Sequence, residues 1–261
     1  MFTWIYGLPI WLVFVIMTGV PVVLTCTGIV LVRPTVLRIF GPEPGNNDMV
    51  IMVLTVGGVF YGLLLGLIAA ATYESNDHAQ SLIADEAAAV GTLYREVAAY
   101  PEPERLVLQR DLVDYTEDVL AVVFPTLRAG EEPMGGTALV TRFQEHLLAF
   151  QPSTPAQEIV HAATIEQFAA FDSDRRHRIN ASQGGIPDVL WWVILVGAAI
   201  NIALLCLFSL KRGAHLLLGG LFAFFLGTML FLIAAMDYPF RGDLSVSPQP
   251  FESMYANVMR H

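Results

Sequence analysis

The sequence predicts an all-α integral membrane protein: four transmembrane helices, with a helical-bundle domain inserted between spans two and three. Three observations predict it. Of 261 residues, 55% are hydrophobic and only 15% charged, where a soluble domain carries roughly a quarter charged residues. The shortfall sits in four stretches, Met1–Val32, Met49–Tyr73, Val189–Leu210 and Gly213–Met236, which contain no Asp, Glu, Lys or Arg. The segment between the second and third stretches is charged throughout and places apolar residues at helical spacing. A purely cytosolic enzyme is thereby excluded.

A hydrocarbon core about 30 Å thick takes roughly 20 residues of helix, because each backbone amide in lipid needs a partner within the protein. The spans read as Leu8–Val32, Val50–Thr72, Val189–Leu210 and Ala214–Met236. Residues 1–72 then hold the first two spans and a short basic loop, 73–187 an acidic helical domain, 188–236 the last two spans, and 237–261 a proline-containing tail. The first stretch is read as a span rather than a signal peptide: it has no basic n-region, too long an apolar run and no small-residue cleavage site. Cys26 and Cys206 both lie inside spans and define no disulfide framework.

Orientation follows from Lys and Arg in short loops. Arg33 and Arg38 lie between spans one and two, and Lys211 and Arg212 between spans three and four. This puts both loops in the cytoplasm and the acidic domain and both termini outside. Arg175, Arg176 and Arg178, near the third span, pull the other way.

Residues 73–187 hold 8 Arg, no Lys and 18 Asp or Glu, a net of −10 that equals the charge of the whole protein. That balance disfavours nucleic acid as a partner. Helical stripes run through Val90, Leu93, Tyr94, Val97 and Tyr100, through Leu108, Leu112, Tyr115, Val119 and Val122, and through Val140, Phe143, Leu147 and Phe150. A fourth helix, 155–181, opens on Ser153-Thr154-Pro155 and carries Ile159, Ile165, Phe168 and Phe171 on its apolar side. Pro101, Pro103 and Pro125 are expected to end the first two helices, and Gly130–Gly136 reads as an exposed loop. No Pro or Gly interrupts 69–89, so span two is expected to run on as the first helix of the domain. The tail shows no periodicity and is expected on the membrane surface or against the domain.

Catalytic chemistry has no foothold. The six histidines form no H-E-x-x-H or i/i+4 pair, and no G-x-S-x-G, Walker loop or G-x-G-x-x-G occurs. The chain reads as no enzyme, with no cofactor and no metal. Its small residues suggest association instead. Gly58, Gly62 and Gly66 form a double G-x-x-x-G ridge on span two, and Gly219, Ala223 and Gly227 a similar ridge on span four, both suited to close helix packing within or between subunits. Opposite the first ridge, Val53, Phe60, Leu64, Leu67 and Ala71 face lipid or form a hydrophobic constriction that gates by dewetting. Asn201, within span three, is expected to bond to another helix. Asp237, at the exit of span four, is a costly carboxylate without a partner, and Arg178 is the partner expected for it.

Three stretches carry a resemblance: DEAAAVGTLYREV at 85–97, RRHRINASQGGIPDVLWWVIL at 175–195 and MDYPFRGDLSVSPQPF at 236–251. With two spans before the domain and two after, they resemble the bestrophin-like bacterial membrane proteins. Matched position by position, the family's signature falls on Glu86, Ala87, Leu93, Tyr94, Arg95, Tyr115, Pro125, Arg175, Arg178, Pro187, Trp191, Asp237, Pro239, Phe240 and Gly242. One departure is Val123-Phe124-Pro125, where family members usually have an acidic residue and Trp before the proline. The resemblance implies kinship with bestrophins, pentameric anion channels with four spans per subunit and a cytosolic helical portion. That orientation opposes the one read from the short-loop arginines, and the 18 acidic residues would concentrate cations rather than anions.

Two functional readings follow. One is a homo-oligomeric ion channel or channel-like protein in the lipid bilayer of the cell membrane, span two nearest its axis and ions as its partners. The alternative is an extracytoplasmic sensor or interaction module that acts through a membrane partner.

Overall fold

Helices follow one another along the chain. The structure, a computed structural model, describes residues 3–40, 45–133 and 136–260, and no strand occurs among them. After a 3-10 turn at Thr3–Gly7 come α1 (Ile10–Phe40), α2 (Gly45–Val97), α3 (Glu104–Asp118), α4 (Phe124–Ala129), α5 (Gly136–Ala149), α6 (Pro155–Ser182), α7 (Asp188–Cys206), α8 (Arg212–Met236) and α9 (Gln249–Met254). Among the described residues, Ile10–Val36, Asn47–Val97, Asp188–Cys206 and Arg212–Met236 are long and apolar enough to cross a membrane. The chain divides into an apolar unit, Met1–Glu74 with Gly185–Asp237, and an acidic unit, Ser75–Gly184 with Tyr238–His261. As its unbroken apolar and polar stretches suggest, α2 is continuous and contributes to both.

In the apolar unit α1 packs mainly along α8, and also along α7. Small residues allow the closest approach. A Cβ on Gly227 would stand 2.5 Å from the Met17 carbonyl oxygen and 2.6 Å from Thr18 Cα, and one on Gly219 would stand 2.7 Å from Ile29 Cδ1. Ala223 between them is fully buried. Pro21, inside α1, has no amide to donate to that Met17 carbonyl. The helix also continues to Phe40, beyond the expected end at Val32 and through Pro34. Arg33 ends the apolar run but not the backbone hydrogen-bonding pattern, so much of the expected basic loop is helix.

The acidic unit closes on an apolar core. α2 contributes Ile83, Ala87, Val90, Leu93 and Val97, α3 contributes Leu108, Leu112 and Tyr115, and α5 contributes Val140, Phe143 and Leu147. At the N-terminus of α6 the Thr154 hydroxyl accepts from the Gln157 amide at 3.2 Å and Pro155 takes the first turn, the capping the sequence signals.

Two local readings need correction. Pro125 does not end the second helix: α3 passes into α4 through a π turn at Val119–Val123. The wider turn accommodates an imino acid that cannot donate to the usual carbonyl. It also shifts the register, so Val123 is buried and Val122 exposed. On α6 the inner face is Thr164, Phe168, Phe171, Arg175 and Arg178, while Ile159 and Ile165 are exposed. The tail takes the second of its two expected places, against the acidic unit: Phe240, Val246, Phe251, Met254 and Met259 are buried in that unit's core, and α9 and a π turn form within the tail. Gly130 ends α4 at φ 84°, donating to the Leu127 carbonyl, the left-handed cap that glycine favours. Of the expected loop Gly130–Gly136, Met134 and Gly135 lie outside the described residues, and Gly136 already belongs to α5.

Candidate functional site

Within the apolar unit α2 buries a narrow stripe, Tyr61, Leu65, Ile68 and Thr72, at the i, i+4, i+7, i+11 spacing of one helix face. The Tyr61 hydroxyl donates to the Ile194 carbonyl at 2.7 Å. Gly197 makes room for the ring: a Cβ there would lie 2.3 Å from Tyr61 Cε2. Outside this stripe Val53, Phe60 and Leu67 are exposed, whereas Leu64 is half-buried against the same core. The residues grouped as a pore face are therefore not equivalent, because Leu64 lies beside Leu65 and one turn from Tyr61. A Cβ on Gly58 would lie 3.8 Å from Asn201 Oδ1, and Gly62 and Gly66 have nothing within 4 Å of theirs. Asn201 bonds to its own helix, Nδ2 donating to the Gly197 carbonyl at 2.8 Å, rather than to another helix as expected; Oδ1 is buried without a partner.

At the end of α8, Asp237 is buried and accepts from three donors of its own unit: the Ile186 amide, Trp191 Nε1 at 3.0 Å and the Tyr6 hydroxyl at 3.1 Å. Burial raises its pKa, and the three donors work against that rise. These are neutral groups. The carboxylate is stabilised by hydrogen bonds, and the expected arginine partner is not needed.

Arg178 is committed elsewhere. In the acidic unit its Nε donates to Glu86 Oε2 and its Nη2 to Oε1 at 3.2 Å, while the Tyr115 hydroxyl donates to the same Oε1. All three side chains are buried. Burial, and next the Glu86 charge, hold the Tyr115 phenol well above its ordinary range. Burial alone would lower the Arg178 value, but Glu86 reverses this and fixes the guanidinium in its charged form. Other signature positions pack the core or face solvent. Phe240 is in the acidic core, Tyr94 packs at its edge, Arg95 is exposed, and the Pro239 carbonyl accepts from the Val246 amide at 2.7 Å. Pro187 precedes α7 and Trp191 serves Asp237. The departing pair Val123-Phe124 is buried in the core.

Sequence reasoning missed the Glu86–Arg178–Tyr115 cluster as a unit. The available signal was Glu86, one of two adjacent carboxylates among the alanines at 84, 87, 88 and 89, which falls on the same helix face as Val90, Leu93 and Val97. Among the described residues no group of three or more His, Cys, Asp or Glu could hold a metal ion.

The bestrophin-like domain family matches residues 19–251, nearly the whole chain. The protein belongs to the bestrophin-like family. Crystal structures of two single-residue variants of a bacterial bestrophin homologue from Klebsiella pneumoniae are similar to it, at TM-scores of 0.64 and 0.62 and 12% sequence identity. In both, 95% of this chain is covered, against 98% and 96% of the other. The crystal structure of a membrane protein carrying a single substitution is similar at a TM-score of 0.65 and 11% identity, covering 95% of this chain and 96% of its own. At such identities the likeness is one of fold. No curated protein matches the sequence. The glycine ridges, the Asp237 knot and the Glu86 cluster thus belong to a bestrophin-like membrane protein.

Proposed function

We propose that this bestrophin-like protein is a homo-oligomeric ion channel or channel-like protein of the cell membrane. In this reading four helices cross the bilayer, and residues 73–187 form a watery helical domain between the second and third. The observation that carries it is the state of α2. Its most apolar window is the least covered of the four, 17% buried against 22%, 33% and 33%, and Gly62 and Gly66 on it touch nothing within the chain. A small-residue ridge left open on a membrane helix is suited to a neighbouring copy. Assembly through it would turn part of the exposed apolar surface, Val53, Phe60 and Leu67, toward a common axis, where a hydrophobic ring can gate by dewetting. The surplus of carboxylates in the acidic unit favours cations in its surroundings.

The test is reconstitution. Purified protein in mild detergent should run as an oligomer by light scattering, and liposomes containing it should pass ions down a salt gradient. A monomer that passes none overturns the proposal. Orientation is tested separately. By the short-loop arginines the acidic unit faces outward, so Glu131→Cys in a Cys26→Ser/Cys206→Ser background should react with a membrane-impermeant maleimide on intact cells. Reaction only after lysis reverses the orientation.

A further inference from the structure

Within the acidic unit a cavity of about 350 Å³ is lined by residues of α3 to α6, by the loop 131–133 and by Arg241 of the tail. Arg175 stands in its wall, buried, with Nη2 donating to the Thr137 hydroxyl oxygen at 3.0 Å. Among the described residues no carboxylate comes within ion-pair reach of it. Arg178 is matched by Glu86 and Asp111 by Arg142, whereas among the described residues the buried oxygens Asp118 Oδ2 and Glu96 Oε2, like Arg175, have no ion-pair partner. Glu86 already serves Arg178 and Tyr115. Arg175 is therefore a buried guanidinium held by one hydroxyl and no carboxylate in direct contact, and a buried ion without a counter-charge costs several kcal/mol. Gly136 borders this space: a Cβ there would stand 3.6 Å from Arg175 Nη2 and 3.7 Å from Asp118 Oδ2, both ordinary contacts.

The rest of the wall narrows the chemistry. Val123, Leu127 and Ile179 offer an apolar surface beside the guanidinium. Glu131 and Glu132, also on the lining, are exposed and outnumber Arg241 of the same wall, which opposes the entry of a multiply charged anion. We propose that this cavity binds a small organic monocarboxylate, its carboxylate on Arg175 and Thr137 and its apolar body against Val123, Leu127 and Ile179. A planar guanidinium fits a carboxylate with two parallel hydrogen bonds, and Thr137, which accepts from Arg175, keeps its own proton to donate. The site is independent of whether the protein conducts ions.

The test uses the full chain in mild detergent, titrated with sodium benzoate or sodium butyrate at constant ionic strength and followed by thermal unfolding and calorimetry. Both carboxylates should stabilise it saturably, whereas chloride and phosphate at the same ionic strength should not. Arg175→Lys keeps the charge but loses the paired geometry, and should weaken benzoate binding roughly tenfold or more. Ile179→Trp fills the apolar part of the cavity and leaves the Arg175 charge in place, and should abolish binding in a folded protein. Absence of saturable stabilisation in the wild type, equal stabilisation by chloride or phosphate, or unchanged binding in Ile179→Trp overturns the proposal.

Discussion

Arg178 and Glu86 meet within the acidic unit with 3% and 0% of their side chains exposed, though 92 residues separate them in sequence. Removing one member leaves the other charged and dry, which costs about 3–5 kcal/mol. Glu86→Gln and Arg178→Met should each lower the unfolding temperature sharply. The double variant should be more stable than the sum of the two single losses predicts, since neither charge is then orphaned. Thermal unfolding of the four proteins completes the cycle.

Gly227 and Gly62 should respond oppositely to the same substitution. Gly227→Val drives a side chain into the backbone of Met17 and Thr18 and should cost about 1–3 kcal/mol or more of monomer stability. Gly62→Val meets nothing within the chain. It should leave the unfolding temperature of the dissociated subunit unchanged and reduce the oligomer fraction seen by light scattering.

The three donors around Asp237 should make it intolerant of an amide. Asp237→Asn turns an NH₂ group toward a donor and should cost about 1–3 kcal/mol. Tyr6→Phe leaves two donors in place and should cost less. Unfolding temperatures in mild detergent rank the two variants.

Asp118 should shape the pH dependence of the acidic unit. Its Oδ2 is buried without a partner, and burial raises its pKa. A raised carboxyl favours the folded state while protonated, and this contribution fades as pH climbs through its folded value. Asp118→Asn should therefore be more stable than the parent near pH 7, and the advantage should vanish below about pH 4. Unfolding temperatures of both proteins across pH 3.5–7.5 test the sign.

Patterns that depend on one helix at a time were legible in the sequence. The apolar stretches marked the long helices, and Val90, Leu93 and Val97 marked an inner face because aliphatic side chains have few other places to go. What failed depended on geometry between helices or on unusual turns. The π turn moved burial from Val122 to Val123 without a compositional cue. The inner face of α6 ends in Arg175 and Arg178, and hydropathy assigns guanidinium groups to water because it cannot know of a facing carboxylate. Asp237 was rightly marked as needing partners, but the partners were an amide, an indole and a phenol. None of them carries a charge by which it might be found.

The way the acidic core is completed fixes an order of events during synthesis. Phe240, Val246 and Phe251, which help to fill that core, leave the ribosome only after α7 and α8 have been made. The earlier helices of this unit must wait, their greasy seam unsealed, while the last long apolar segments are translated. A nascent chain of this kind needs shelter for that interval, and a stop codon just after Met236 would leave a protein whose four long apolar helices are all present but whose acidic part has no lid to its interior.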